Sequence, residues 1–311
     1  MNGKKLQRHY KHKVSGFKQW EQLSHAHEYL IYPENITEHI SIDEVSLSKG
    51  ELYTIVTNKN TKAQNKKSVI AIINGTEAKT IQEVLAKIPI EQRNKVKEIT
   101  MDMAPNMALA ARNSFANSSQ VIDRFHVVRL VMDALQHMRT NLRWKAIDEE
   151  NEAIKKAKTE GRKYHPEILS NGDTLKELLV RSKYLLYKFE DEWTFHQAKR
   201  ALVLFDKYPL LKKAYKLVES FRTIYKLNYR EDAVLKFNDW KQKVGELKID
   251  EFNTVTNSLE HHLQNILNFF HNRNTNANAE SFNSKIKIFR ANLRGVTDVK
   301  FFLFRLQKLF A

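Results

Sequence analysis

The first regular pattern along the chain begins at Ile40. Ile40-Ser41-Ile42-Asp43-Glu44-Val45-Ser46-Leu47 alternates apolar and polar positions, the period of a strand with one face buried. Lys49-Gly50 reads as a turn, and Leu52-Tyr53-Thr54-Ile55-Val56-Thr57 as the strand that returns from it in a hairpin. Ser68-Val69-Ile70-Ala71-Ile72-Ile73 predicts a third strand, ended by Asn74-Gly75. A helix follows: Thr80 suits its cap, Ile81, Val84, Leu85 and Ile88 form its apolar stripe, and Pro89 stops it. Val96-Lys97-Glu98-Ile99-Thr100-Met101 is a fourth strand running into Asp102, and Pro105 opens a helix containing Met107, Leu109, Ala110 and Ala111. Gln120-Val121-Ile122 is a short fifth strand ending at Asp123, with helix from about Val127. The order is β-β-β-α-β-α-β-α, an α/β pattern.

From there to about Phe270 the spacing is helical. Leu175, Leu178, Leu179, Ser182, Leu186 and Phe189 fit one helix. Leu210, Leu211, Ala214, Leu217, Val218 and Phe221 fit a second, opened by Pro209, and Phe252, Val255, Leu259, Leu263, Ile266 and Phe270 fit a third. Residues 148–172 are charged and contain Gly161, Pro166 and Gly172, which predicts a loop or a solvated helix with a break. A last helical region starts near Asn276, breaks at Arg294-Gly295 and resumes with Val299, Phe302, Leu303, Leu306 and Phe310. Residues 1–39 are polar and basic, with Lys4, Lys5, Arg8, Lys11 and Lys13 close together, and read as an arm or linker.

Charge narrows the class of partner. The 311 residues carry a formal net charge of +16. Such an excess favours polyanions, nucleic acid before anionic membrane. No apolar run approaches the roughly 20 residues of a membrane span, and the basic N-terminus lacks the apolar core of a secretory signal. Cysteine is absent, which removes disulfides, zinc–cysteine fingers and cysteine nucleophiles. A cytoplasmic protein, nucleoid-associated when bound to DNA, fits these features.

Two carboxylates occupy informative positions. Asp43 lies within the first strand and Asp102 follows the fourth, and strands of this order can lie side by side. A third carboxylate from a later helix would complete a metal cage, and Glu280 in Asn276-Ala277-Asn278-Ala279-Glu280-Ser281-Phe282-Asn283 is best placed. Phosphoryl transfer uses such a cage, because two hard cations about 4 Å apart stabilise the entering and leaving oxygens. Magnesium suits an all-oxygen donor set. Each carboxylate alone reads first as a solvated terminus, turn or helix residue, and only the strand order raises the three together.

Four stretches resemble the ISL-three group of insertion-sequence transposases. They are Ser41-Ile42-Asp43-Glu44-Val45-Ser46-Leu47-Ser48-Lys49-Gly50, Met101-Asp102-Met103-Ala104-Pro105, Asp123-Arg124-Phe125-His126-Val127-Val128-Arg129-Leu130, and the run from Asn272 to Lys287 that contains Glu280. Arg181-Ser182-Lys183-Tyr184-Leu185-Leu186 is similar to a weaker family segment. The resemblance implies an RNase H-like mixed sheet with a large all-helical insertion before the last catalytic helix. It divides the chain into an arm (1–39), the first part of the catalytic domain (40–140), the insertion (141–270) and C-terminal helices that complete the domain (271–311). It implies a metal triad of Asp43, Asp102 and Glu280 with Mg2+ or Mn2+, two ions to a site. The activity implied is cleavage of DNA at transposon ends and strand transfer into a target, with an RNase H-like nuclease or resolvase and an inactive DNA-binding descendant as alternatives. The partners implied are double-stranded DNA and a second copy of the chain assembled on it. Family members begin with a zinc-binding, helix-turn-helix region that has no counterpart before Asp43, so a separate end-recognising protein is a further expected partner.

Secondary candidates surround these three. Asp123 can steer a metal-bound water or fix Arg124, or else cap the next helix; His126 can contact the scissile phosphate or pack beside the site. Asn276 and Asn283 lie one turn either side of Glu280 and can bond its carboxylate or DNA, with Asn276 also a natural helix cap. Lys285, Lys287, Arg290 and Arg294 are candidate phosphate contacts, or a solvated basic face. In the insertion, Arg181 and Lys183 sit among Tyr184, Tyr187 and Lys188, a mix that can hold backbone and stack bases, or pack a helix. Glu44 points away from Asp43 on a regular strand and reads as structural or solvated. His25, His27, His261 and His262 lack the partners of a zinc site.

Overall fold

The computed structural model describes residues 3–48, 50–59, 67–273 and 277–311. Among these, the elements run α1 (Gly3–His9), β1 (Tyr29–Ile31), β2 (His39–Ser48), β3 (Glu51–Asn58), β4 (Val69–Asn74), α2 (Ala78–Leu85), α3 (Ile90–Arg93), β5 (Glu98–Met101), α4 (Pro105–Ser114), β6 (Ser119–Ile122) and α5 (Arg124–Thr159). They continue with α6 (Leu175–Arg181), α7 (Phe195–Lys207), α8 (Pro209–Ile224), α9 (Arg230–Leu247), α10 (Asp250–His261), α11 (Leu263–Leu267), α12 (Phe269–Asn272), α13 (Ala277–Asn292) and α14 (Val299–Phe310). Two compact units result, one of residues 1–123 with 264–311 and one of residues 124–263. The divisions fall at Asp123/Arg124, where the continuous helix α5 begins, and at Leu263/Gln264.

The first unit is built on a six-stranded mixed sheet in the order β1-β4-β3-β2-β5-β6. β2, β3 and β4 pair antiparallel, while β5 runs parallel to β2 and β6 parallel to β5. All five strands expected from the alternation are present. β1 was not expected. Residues 1–39 are no free arm: Tyr29–Ile31 pairs antiparallel with β4 as an edge strand. Leu30 is fully buried in the core, and Phe17 packs edge-to-face on Phe301 and Phe304. The scattered aromatic and apolar residues among the lysines carry this segment, and three residues of strand are too few to show a period.

Each face of the sheet has its own cover. Ile40, Ile42, Val56, Ile99 and Met101 meet Ile81, Val84 and Leu85 of α2 and Met107, Ala110 and Ala111 of α4. On the opposite face Val45, Tyr53, Ile55 and Ile72 meet Phe282 and Ile286 of α13 and Phe302, Leu303 and Leu306 of α14. Phe282 and Ile286 are one turn apart and almost fully buried. Burying each is worth about 2 kcal/mol, enough to fix which side of α13 faces the strands. Arg294 and Gly295 both take positive φ, 55° and 103°, and end that helical region. Asp298 then accepts from the Phe301 amide at 3.1 Å to cap α14.

The second unit has helices and no strand among its described residues, with α5 packed against α6, α8 and α10. Trp240 is fully buried, donates to the Leu217 carbonyl at 2.9 Å and meets Phe221 edge-on. The helix expected over 175–189 is cut at Ser182 and continues only as a turn over Leu185–Tyr187. Two side chains of α5 take its carbonyls: Arg139 Nη1 bonds Leu179 O at 2.8 Å and Gln136 Nε2 bonds Lys183 O at 3.2 Å. The amide of Lys183 turns to Val180 O instead of continuing the α ladder. The stripe from Phe252 to Phe270 is likewise divided among α10, α11 and α12. Over 148–172 the helix persists to Thr159 and breaks before Gly161, which takes a φ of 65°. No helix among the described residues is long and apolar enough to cross a membrane.

Candidate active site

The parallel ladders of the first unit fix where its aspartates stand. β2 and β5 pair through Ile40↔Ile99 and Ser41↔Thr100, and Asp43 and Asp102 each lie two residues further on. β5 and β6 pair up to Met101↔Ile122, and Asp102 and Asp123 each follow directly. Asp43, Asp102 and Asp123 therefore occupy equivalent positions at successive parallel strands. In open α/β sheets, that carboxyl end is where ligands bind.

Their side chains are held in different ways. Asp43 accepts from the Glu44 amide through Oδ1 at 2.8 Å and from Asn283 Nδ2 through Oδ2 at 2.7 Å. Asp102 Oδ1 accepts from the Ala104 amide at 2.8 Å, and Oδ2 has no hydrogen-bond partner among the described residues. Asp123 is buried, 3% exposed, and its amide donates to Met101 O at 2.8 Å.

Glu44 is half-buried and is closer in electrostatic terms than strand alternation suggests. Its carboxyl is pushed above the usual range by burial first, then by the charges of Asp102 and Asp43. Alternation gives the direction of a Cβ and not the reach of a charge, so the sequence offers no signal for this coupling.

Beneath the aspartates the same sheet face is polar and closed. Ser41, Thr57 and Thr100 are buried, with Ser41 Oγ and Thr57 Oγ1 2.6 Å apart. Lys59, just after β3, donates to Thr100 Oγ1 at 2.5 Å and lies 3.5 Å from Glu98 Oε1. Burial lowers the Lys59 ammonium from the ordinary lysine range, and the charges of Glu98 and Asp123 pull it back. Asn272 of α12 donates to Glu98 Oε2 at 2.9 Å, and His39 Nδ1 is 3.9 Å from Oε1. Lys59, Glu98 and Asn272 were not singled out in the sequence. A lysine in a polar run and a glutamate within a strand are the commonest solvated residues, and only the fold buries them.

Glu280 belongs to α13, three residues before Asn283, and its side chain lies outside the described residues. Asn276 lies outside them altogether. Among the described residues no three His, Asp or Glu side chains form a group able to hold a metal ion. The oxygens of Asp43 and Asp102 are hard donors of the type Mg2+ or Mn2+ takes, so they fit such an ion once a further ligand joins them.

The basic candidates divide. Lys285 and Lys287 are exposed on α13, Lys285 with its ammonium 5.8 Å from the Phe310 ring, and Arg294 is exposed in the turn after it. Arg290 is occupied differently: Nη1 donates to Ser46 O at 2.9 Å and Leu47 O at 3.5 Å, pinning α13 to the end of β2. In the second unit Arg181 pairs with the buried Asp173 and, at 2.9 Å, with Glu177. Lys183 lies 5.5 Å over the Tyr184 ring. His126 is in the first turn of α5, its ring edge-on to Phe125 at 5.6 Å.

Comparison with known proteins follows the same residues. Residues 40–306 match the family model of the ISL3 transposases. The chain is 22% identical over 278 residues to the transposase for insertion sequence element IS1001 of Bordetella parapertussis. That alignment covers 88% of this chain and 61% of the relative, so the chain spans less than two thirds of that protein's length. No solved structure matches significantly.

Proposed function

Since this chain belongs to the ISL3 family of transposases, we propose that it carries out the DNA cleavage and strand transfer of an insertion sequence. The observation that carries the reading is the in-register placement of Asp43 and Asp102, with α13 tied to Asp43 through Asn283. We read the sheet as RNase H-like: three antiparallel strands, then two parallel to the first, preceded here by an added edge strand.

In this reading Asp43, Asp102 and Glu280 hold two Mg2+ or Mn2+ ions, which supply Lewis-acid stabilisation of the entering and leaving oxygens. The Ala104 amide orients Asp102, and the Glu44 amide with Asn283 orients Asp43. Asp123 supports the site, and Asn276 and Asn283 flank Glu280 in the sequence. Water first cleaves the phosphodiester at the element's end and leaves a 3′-hydroxyl. That hydroxyl then attacks a target phosphodiester and displaces a target 3′-hydroxyl, so one ester bond forms as one breaks.

Lys285, Lys287 and Arg294 supply phosphate contacts, with Arg181 and Lys183 on the helical unit. The net charge of +16 makes binding fall steeply with salt. Two copies assemble on paired ends. The test is incubation of labelled end DNA with the protein and Mg2+. Nicking at the end supports the reading, and binding without nicking under any divalent ion overturns it in favour of a DNA-binding descendant. Nicking without joining to a target would favour a hydrolytic nuclease.

A further inference from the structure

Glu98 is 2% exposed, yet it opens the strand that ends at Met101, just before Asp102. Three elements converge on its carboxylate. Lys59, 3.5 Å away, follows β3, the hairpin partner of the Asp43 strand. His39, 3.9 Å away, opens β2 itself. Asn272, at 2.9 Å, closes α12, five residues before α13 begins. Asn265 and Asn268 add two bonds from the same C-terminal segment to Gln120 of β6, at 3.3 and 2.8 Å.

Burying a carboxylate and an ammonium together is a poor route to stability, because desolvation offsets most of their attraction. What such a pair does supply is geometry: a buried charge accepts few arrangements of its partners. Phe282 and Ile286 decide which side of α13 faces the sheet, but apolar contacts permit sliding along the strands. The bond from Asn272 to Glu98 limits sliding, because it ties the chain to β5 five residues before α13 begins.

We propose that Glu98 is a positioning residue for the metal-binding carboxylates: through Asn272 it sets the helix of Glu280 in register with the strand of Asp102, with Lys59 as its buried counterion. The inference rests on the reading of Glu280 as a metal ligand. Outer partners that orient metal ligands typically govern metal affinity by 10–100-fold.

The test is direct Mn2+ binding to the full chain, followed by the loss of the free-ion electron paramagnetic resonance signal, with the melting temperature measured in parallel. Asn272→Ala takes one donor from the buried Glu98 carboxylate, so without metal it should melt a few degrees lower, yet at a temperature where both proteins are fully folded it should bind Mn2+ at least tenfold more weakly. Asn272→Gln, which keeps the amide, should recover part of the loss. Glu98→Gln should weaken binding likewise. If Asn272→Ala and Glu98→Gln bind Mn2+ as wild type does while Glu280→Gln does not, the positioning role is overturned and the ligand reading stands. If Glu280→Gln itself binds normally, the ligand reading falls.

Discussion

The side-chain amide of Asn283 donates a 2.7 Å hydrogen bond to Oδ2 of Asp43, joining α13 to β2 across 240 residues of sequence. The other oxygen of Asp43 accepts the amide of Glu44. A carboxylate held at both oxygens has little rotational freedom, and bonds to a charged acceptor are among the stronger ones. Asn283→Ala should therefore lower end cleavage about 10–100-fold, the range for lost outer partners of metal ligands. The melting temperature should fall by only a few degrees, since one part-buried bond worth about 1–2 kcal/mol is lost and no apolar contact goes with it. Single-turnover nicking alongside thermal melts checks this, and a wild-type rate in Asn283→Ala would show that the bond does not serve the site.

Where Asp43 and Asp102 stand on the sheet was legible in the sequence, for definite physical reasons. Strand alternation placed Asp43 and Asp102, because a period of two is strong over six to eight residues and an acid that ends a strand stands out. The helical spacing put Asn283 one turn from Glu280 as a partner for that carboxylate or for DNA, whereas its described bond goes to Asp43 on β2, a pairing that no helical spacing indicates. What stayed illegible depends on long-range pairing. Tyr29–Ile31 is a strand only because β4 offers it an edge, and Glu98 and Lys59 are buried only because the sheet brings them together.

Arg290 and Lys287 lie one turn apart on α13 and should respond differently to substitution. Arg290 spends Nη1 on the carbonyls of Ser46 and Leu47, whereas Lys287 is exposed. Arg290→Ala should destabilise the first unit by about 1 kcal/mol, the net worth of one partly buried bond from a charged donor. It should leave the salt dependence of DNA binding unchanged. Lys287→Ala should leave stability unchanged and reduce the slope of log affinity against log salt by about 0.9. Fluorescence anisotropy across a salt series separates the two, and a reduced slope in Arg290→Ala would place that guanidinium on DNA after all.

Asp173 predicts a pH dependence in the helical unit. It is 2% exposed and receives Arg181 and, at 2.8 Å, Arg200. Burial alone would raise its carboxyl, but the bonds from Arg200 and Arg181 outweigh it and hold the carboxyl below the ordinary aspartate range. A depressed carboxylate contributes stability that is fully present above its unfolded value, near pH 4, and is lost as pH falls through its lower folded value. Asp173→Asn should cost about 3 kcal/mol at pH 7. The difference from wild type should shrink below pH 4. Trp144, Trp193 and Trp240 all lie in this unit, so urea melts followed by tryptophan fluorescence at pH 7 and pH 3 report on it. A difference that is constant with pH would contradict the pairing.

The most direct test of the central claim is joining of a labelled 3′-hydroxyl end to plasmid DNA in Mg2+ by wild type, Asp102→Asn and Glu280→Gln. The account predicts joined product with wild type and a loss of about 100–1,000-fold in either variant, the range seen when a charge-stabilising group is removed from an active site. Joining by Asp102→Asn at the wild-type rate would contradict it.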